Sequence, residues 1–273
     1  MFYSPILSLL KLTILCFWTL FIAFFQSIIF ILPKIFFFTI LRVYFRGLVL
    51  LFGIKIICNG QPQSRKTLFI SNHTSYLDII VLGSKINGLF VAKSEINRWP
   101  IINLLTKIAK TIFINRKDFL KANKQVKKIS DELYNGYNVI IFPEGTSNDG
   151  NRVLPFKSSL FEIVKNEKLK NYKLQPVSIT YSSMDDIPIN RLFRPFFAWY
   201  GAMDLASHAW NFFGIGNCEI KLNFHDSKSF SNFDNRKDAS LYCYKKISDQ
   251  FYKDLNQSYT TCRLSNVNRV KSL

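Results

Sequence analysis

The chain is short of acid. No Asp or Glu precedes Asp78, and the 273 residues hold 18 Asp+Glu against 36 Lys+Arg, a formal charge of +18. With 11 Gly and 9 Pro it cannot be collagen-like, and five cysteines are too few for a disulfide scaffold. Cys16, Cys58, Cys218, Cys243 and Cys262 are odd in number and form no C-x-x-C pair, which reads as a reducing compartment without structural zinc. Histidine is also scarce, with three residues. His208 and His225 lack the partnered Cys/Asp/Glu spacing of a metal site, so no metal is expected. What abounds is apolar: 48% of residues are hydrophobic and 27 are Phe, which excludes a disordered chain. The length allows one large domain or two small ones.

Between Lys11 and Lys34 runs a stretch of 22 residues without a charge. As a helix it reaches about 33 Å, against roughly 30 Å of bilayer hydrocarbon. It is longer than a signal-peptide core and no small-residue cleavage site follows. A membrane anchor is therefore expected. A second apolar stretch, Ile35 to Ile57, is broken by Arg42, Arg46 and Lys55. It either lies in the interface or returns through part of the bilayer; both fit. The cations after the first stretch outnumber the one bordering it. The positive-inside rule thus places the remainder on the cytoplasmic face of the inner or plasma membrane. Residues 1–57 read as membrane-anchoring helices and 58–273 as a cytoplasmic domain. A nucleic-acid partner would suit the charge, but no helix-turn-helix, zinc-finger or RNP pattern is present, and lipid phosphates are nearer.

After the turn cluster Asn59-Gly60-Gln61-Pro62 the pattern is that of an α/β domain. Short strands are expected at 67–70, 88–92, 111–114 and 138–142. Helices are expected at 75–82, with Ser75 as N-cap and Asp78 in its first turn, at 99–109 and 158–165. The clearest is at 118–134, where Phe119, Ala122, Val126, Ile129 and Leu133 recur at helical steps and Gly136 is the stop. Leu174–Tyr181 reads as a strand at an edge or bulge because it holds Pro176. Residues 242–255 form a possible last helix. The alternation implies a largely parallel central sheet flanked by helices. Ligands sit outside the carboxyl ends of such strands, so His73, Lys93, Arg116 and Glu144 are expected on one rim.

Two motifs carry chemistry. His73 and Asp78 form H-x-x-x-x-D. On one helix they would point about 140° apart, so they meet only if His73 sits in the turn before the helix. A carboxylate on one imidazole nitrogen fixes the tautomer and frees the other as a base. Read alone, the pair equally fits a capping box with a turn histidine. In Phe142-Pro143-Glu144-Gly145-Thr146, Pro143 ends the strand and Glu144 is held just past it, able to accept from substrate hydroxyls. The N–H groups of Gly145 and Thr146 can donate to an anion. The other reading is a plain turn whose glutamate is tied to backbone amides.

Together the motifs resemble those of the PlsC-type glycerolipid acyltransferases, which include 1-acyl-glycerol-3-phosphate acyltransferase. Ser71–Asp78 resembles the N-H-x4-D block. Ala92-Lys93-Ser94-Glu95 with Trp99-Pro100 resembles K-x-E…W-P, and Ile112–Arg116 the strand that ends in Arg. Phe142–Thr146 matches F-P-E-G-T, and Gln175-Pro176-Val177 resembles the last block. The likeness spans about 71–181, within a motif core of 67–181. Lys110, Asn115, Asn103 and Ser147 depart from residues frequent there and leave the acceptor open. The resemblance implies a glycerol-3-phosphate-acyltransferase-like fold in a cytoplasmic acyltransferase domain. It implies transfer of a fatty acyl group from acyl-CoA or acyl carrier protein to the sn-2 hydroxyl of 1-acyl-glycerol-3-phosphate, giving phosphatidic acid, with no cofactor beyond the donor. His73 would be the base and Asp78 its orienting group. Arg116 would hold the acceptor phosphate with Glu144, Gly145 and Thr146 beside it, and Lys93 is a second phosphate candidate or a solvated partner of Glu95. Two alternatives stay open: another lysolipid acceptor such as lyso-ornithine lipid, and a non-catalytic lipid-binding protein of the membrane surface.

Overall fold

The computed structural model describes residues 3–29, 34–93, 109–114 and 122–270. Two helices come first, α1 (Pro5–Ile29) and α2 (Lys34–Leu51). The domain follows as β1 (Ile54–Asn59), β2 (Thr67–Ser71), α3 (Leu77–Lys85), β3 (Leu89–Lys93), β4 (Ile112–Ile114), α4 (Ala122–Tyr134) and β5 (Val139–Ile141). After a 3-10 segment, Ser158–Lys165, come β6 (Lys173–Met184), β7 (Ile187–Pro188), α5 (Leu205–Phe213), β8 (Cys218–Phe224), β9 (Lys228–Ser229) and α6 (Arg236–Val270). Residues 99–108 of the helix expected at 99–109, and the start of that expected at 118–134, fall outside the described residues. The helix expected at 158–165 is wound as 3-10, and α6 is far longer than the 242–255 expected.

The strand order is β1-β8-β6-β2-β5-β3-β4, with β7 and β9 added along β6. From β6 to β4 every neighbour is parallel, whereas β8 is antiparallel to β6 and parallel to β1, so the sheet is mixed. β1 opens at Ile54, inside the stretch whose apolar continuity suggested only membrane. The strand holding Pro176 is central rather than an edge. Its proline is tolerated because the β8 ladder stops at the Val177–Phe224 pair. Along a strand N–H and C=O of one residue point the same way, and the Pro176 carbonyl faces His225, accepting its N–H at 3.0 Å. The missing donor thus falls past the end of β8, where the Gln175 side-chain amide takes the His225 carbonyl instead at 3.0 Å.

Each sheet face has its own core. β2 is buried on both sides: Phe69 faces the core built with α2, α3 and α5, while Leu68 and Ile70 face that of α4, α6 and the 3-10 segment. α4 ends as its sequence predicts: Gly136 takes φ +85°, and N–H groups of Gly136 and Tyr137 close on the carbonyls of Leu133 and Glu132.

α1 is long and apolar enough to cross a membrane, yet one stripe of it is fastened to the domain. The Ser4 N–H, the Ser8 hydroxyl and the Lys11 ammonium reach the Gly214, Trp210 and Ile215 carbonyls at 3.0, 2.8 and 2.6 Å, satisfying the end of α5. Lys11 is therefore buried in the protein rather than a flanking cation at the membrane edge. Further on, Trp18 Nε1 donates to the Tyr44 carbonyl of α2 at 3.2 Å. The opposite stripe, Ile6, Leu10, Phe17, Leu20, Phe21 and Phe24, is exposed.

Glycines let these layers close. A Cβ on Gly47 of α2 would come 2.5 Å from the Trp18 ring, and one on Gly83 of α3 would come 2.3 Å from the ring of Phe45. Ala ordinarily improves a helix by about 1 kcal/mol over Gly. Here the clash outweighs that, and Gly83→Ala is expected to destabilise the protein by about 1–3 kcal/mol. Chemical denaturation in detergent checks this; a variant as stable as the parent would contradict the close approach of α2 and α3.

Candidate active site

The site grows from the register of two adjacent parallel strands. Ile70 of β2 pairs with Ile141 of β5, an offset of 71 (141 − 70). Three residues beyond that pair the same offset brings His73 beside Glu144 (144 − 73 = 71), and the His73 N–H donates to Glu144 Oε1 at 2.8 Å. The chain between Ser71 and α3 is pinned on its other side by Asn72. Its side chain imitates a strand residue: Nδ2 donates to the Ile179 carbonyl and Oδ1 accepts the Ile179 N–H, both at 2.9 Å.

His73 lies in the turn and Asp78 in the first turn of α3, the arrangement the spacing demands. His73 Nδ1 is 2.9 Å from Asp78 Oδ2. The same oxygen accepts the N–H groups of Thr74 at 2.7 Å and Ser75 at 2.9 Å, and Oδ1 accepts the Tyr181 hydroxyl at 2.7 Å. Asp78 is fully buried, so its charge is met by four protein donors rather than by water. The N-cap of α3 is Tyr76, without a side-chain cap, rather than the Ser75 expected. The Asp78 carboxylate instead takes the two turn amides that precede the helix and also holds the imidazole. Burial first, then the Asp78 charge, raises the Tyr181 pKa well above its ordinary value, which keeps the hydroxyl a donor. With Nδ1–H committed to Asp78, Nε2 keeps its lone pair, and the ring retains partial exposure. Phe142 braces the ring from behind, its centroid 4.1 Å away and its plane 17° from parallel. A neutral imidazole so held can take a proton from a hydroxyl presented at Nε2.

The P-E-G-T turn is built inward. Glu144 is buried, and its Oε2 accepts Asn148 Nδ2 at 2.6 Å and the Leu154 N–H at 3.0 Å, while Oε1 holds His73. That is the tied-glutamate arrangement, with no oxygen turned to a substrate hydroxyl. The Gly145 N–H closes the turn onto the Phe142 carbonyl at 3.1 Å and so is not free for an anion. Gly145 itself takes φ +81°, where a side chain is strained. Thr146 is exposed beside it. Asn148 also grips the His73 carbonyl, through Nδ2 at 3.1 Å and its own N–H at 3.2 Å. Lys93 is the last residue of β3, whose carboxyl end shares the rim with those of β2 and β5. Arg116 lies outside the described residues. Among the described residues no group of three His, Cys, Asp or Glu is placed to hold a metal ion.

Three groups escaped the sequence reading: Tyr181, Asn148 and Phe142 as a ring support. Phe142 and Asn148 flank Glu144 closely enough to have been considered. Tyr181 lies 103 residues from Asp78 and no local pattern announces it.

A family model described as Acyltransferase matches residues 55–180. A lyso-ornithine lipid O-acyltransferase from Rhizobium meliloti is 34% identical over 211 residues, 76% of this chain and 72% of that protein. The chain belongs to the PlsC-type acyltransferase family. Within the family, a lyso-ornithine lipid O-acyltransferase from Brucella abortus is 34% identical over 64% of this chain and 67% of that protein. A 1-acyl-sn-glycerol-3-phosphate acyltransferase from Neisseria gonorrhoeae is 31% identical over 63% of this chain and 64% of that protein. The crystal structure of PlsC, the 1-acyl-sn-glycerophosphate acyltransferase from Thermotoga maritima, shares the fold, with TM-score 0.66 and 19% identity over 91% of this chain and 94% of that one.

Burial pushes the Glu144 carboxyl up from 4.5 to about 7, against the pull of its three N–H donors. The native state thus holds this proton more tightly than the unfolded chain does. The resulting stabilisation is whole below about pH 4.5 and is lost as pH rises through about 7. Relative to Glu144→Gln, the parent should lose up to about 3 kcal/mol of unfolding free energy across that window. Denaturant titrations of both proteins at several pH values check this; parallel pH profiles would contradict it.

Proposed function

We propose that the protein is a membrane-bound O-acyltransferase. It moves a fatty acyl group from acyl-CoA or acyl carrier protein to the hydroxyl of a lysolipid. The observation that carries this reading is His73 Nδ1 on the buried Asp78 carboxylate, which leaves Nε2 as a base. Nε2 removes the hydroxyl proton as that oxygen attacks the thioester carbonyl. Asp78 holds the imidazolium that forms. Collapse of the tetrahedral intermediate breaks the carbon–sulfur bond, and Nε2 returns the proton to the leaving thiolate. One ester forms and one thiol is released, with no acyl-enzyme. Glu144 and Asn148 act as positioning residues that hold the His73 backbone, while Arg116 and Lys93 remain proposed contacts for the acceptor's anionic group.

Lyso-ornithine lipid is the acceptor proposed first, because the lyso-ornithine lipid acyltransferases of Rhizobium and Brucella are more similar, and over more of their length, than the Neisseria glycerophosphate enzyme. The F-P-E-G-T and H-x4-D motifs and the Neisseria relative favour 1-acyl-glycerol-3-phosphate as the second. The exposed stripe of α1, backed by a stripe docked on the domain, supports a helical pair that lies along one leaflet with its apolar face in the acyl chains. The cations after α1 suit an anionic leaflet, which favours the cytoplasmic one.

Purified protein incubated with a panel of lysolipids and both thioester donors, read by mass spectrometry, should acylate lyso-ornithine lipid. His73→Ala should lose at least about a hundredfold in rate, with its circular dichroism and vesicle binding intact. Undiminished turnover in that variant would overturn the reading.

A further inference from the structure

Lys157 stands outside every motif considered so far, yet its side chain lies across the P-E-G-T turn. Its backbone N–H donates to the Pro143 carbonyl at 2.9 Å. Three residues earlier the Leu154 N–H is held by Glu144 Oε2 at 3.0 Å. The 154–157 segment is therefore tied to the turn at two points. From there the lysine chain runs over the bare Cα of Gly145. A Cβ built on that glycine would come 3.2, 2.8 and 2.6 Å from Lys157 Cδ, Cε and Nζ. Gly145 is required for its positive φ, and its bare Cα is where the lysine chain rests.

A lysine on a protein surface is ordinarily a loose, strongly hydrated charge. This one is exposed but laid against backbone, and among the described residues its ammonium has no hydrogen-bond or ion-pair partner. The nearest carboxylate in the turn, Glu144, has both oxygens occupied by other donors. The turn from Pro143 to Asn148 carries no cation of its own. Three N–H donors are therefore free beside the loop that grips His73.

We propose that Lys157 binds the oxyanion of the acceptor's headgroup and is a specificity-determining residue for the reaction. The inference rests on the acyltransferase reading above. The two groups sit on separate segments that the P-E-G-T turn joins: Glu144 Oε1 holds the His73 N–H, while Glu144 Oε2 and the Pro143 carbonyl hold the Leu154 and Lys157 N–H groups. The proposal requires an acceptor that carries its anion near the hydroxyl presented to Nε2. Both proposed acceptors meet this requirement: a phosphate in lysophosphatidate, a carboxylate in an ornithine headgroup, each a few bonds from the reacting hydroxyl. The thioester donor does not, because its phosphate lies at the far end of the pantetheine arm.

The test is steady-state kinetics of the full chain in detergent with acyl-CoA, varying lyso-ornithine lipid, lysophosphatidate and the thioester in turn. For Lys157→Gln the acceptor KM should rise about tenfold and the thioester KM stay within about twofold, as loss of one charge-assisted contact predicts. Lys157→Arg should bring the acceptor KM back to within about threefold of the parent, because guanidinium also binds oxyanions. Whichever parent acceptor shows the larger rise identifies the anion used. An unmoved acceptor KM, or a thioester KM that rises as much, would overturn the proposal. Should Lys157→Gln fail to fold, Lys157→Met keeps the chain over Gly145 and takes the same measurement. A parent protein that acylates neither acceptor would remove the functional reading itself, and this proposal with it.

Discussion

A carboxylate sealed from water is the constraint on which the rest depends. Asp78 has no solvent to stabilise its charge, so four donors must converge on it. They come from different parts of the chain: an imidazole and two backbone amides from the turn after β2, and a phenol from the end of β6. Removing any one leaves a buried anion short of a partner, at a cost of about 1–3 kcal/mol. The group that makes His73 a directed base also decides how α3 begins and how the turn meets β6. The fold and the proposed chemistry are stabilised by the same contacts.

Around that centre the protein spends backbone precision rather than extra charge. The shared offset of the β2–β5 register and of His73 and Glu144 means that sliding one strand by a residue would separate the two motifs. Asn72 supplies a ladder where the strand has ended, and Glu144 and Asn148 hold the two sides of the His73 peptide. Positioning of this kind matters because a base displaced by even an ångström loses most of its advantage.

Much of this was legible in the sequence, and what was not has a physical cause. The H-x4-D spacing could be converted into a turn-then-helix geometry because helical angles are fixed, and Gly136 named its own C-cap. The burial of Glu144 was one of two open readings, since a glutamate past a strand can face either way. β1 and β8 were hidden for different reasons. β1 continues the apolar composition of α2, so no change of pattern marks it, and β8 pairs with partners more than thirty residues away along the chain. Pro176 suggested an edge because local chemistry cannot show that the neighbouring strand stops beside it. Lys11 looked like a membrane-flanking charge because its partners, the carbonyls closing α5, are 204 residues distant. Periodicity and motif spacing report local geometry; contacts closed by the tertiary fold leave no such trace.

The central claim is a tautomer: the proton on Nδ1 of His73, shared with Asp78, and a bare Nε2 facing the acceptor. Nitrogen NMR of histidine-labelled protein at neutral pH, with the resonance assigned by its loss in a His73 variant, reads this directly. The account predicts a protonated Nδ1 and an unprotonated, pyridine-like Nε2. A ring with its proton on Nε2 and its lone pair turned toward Asp78 would contradict it.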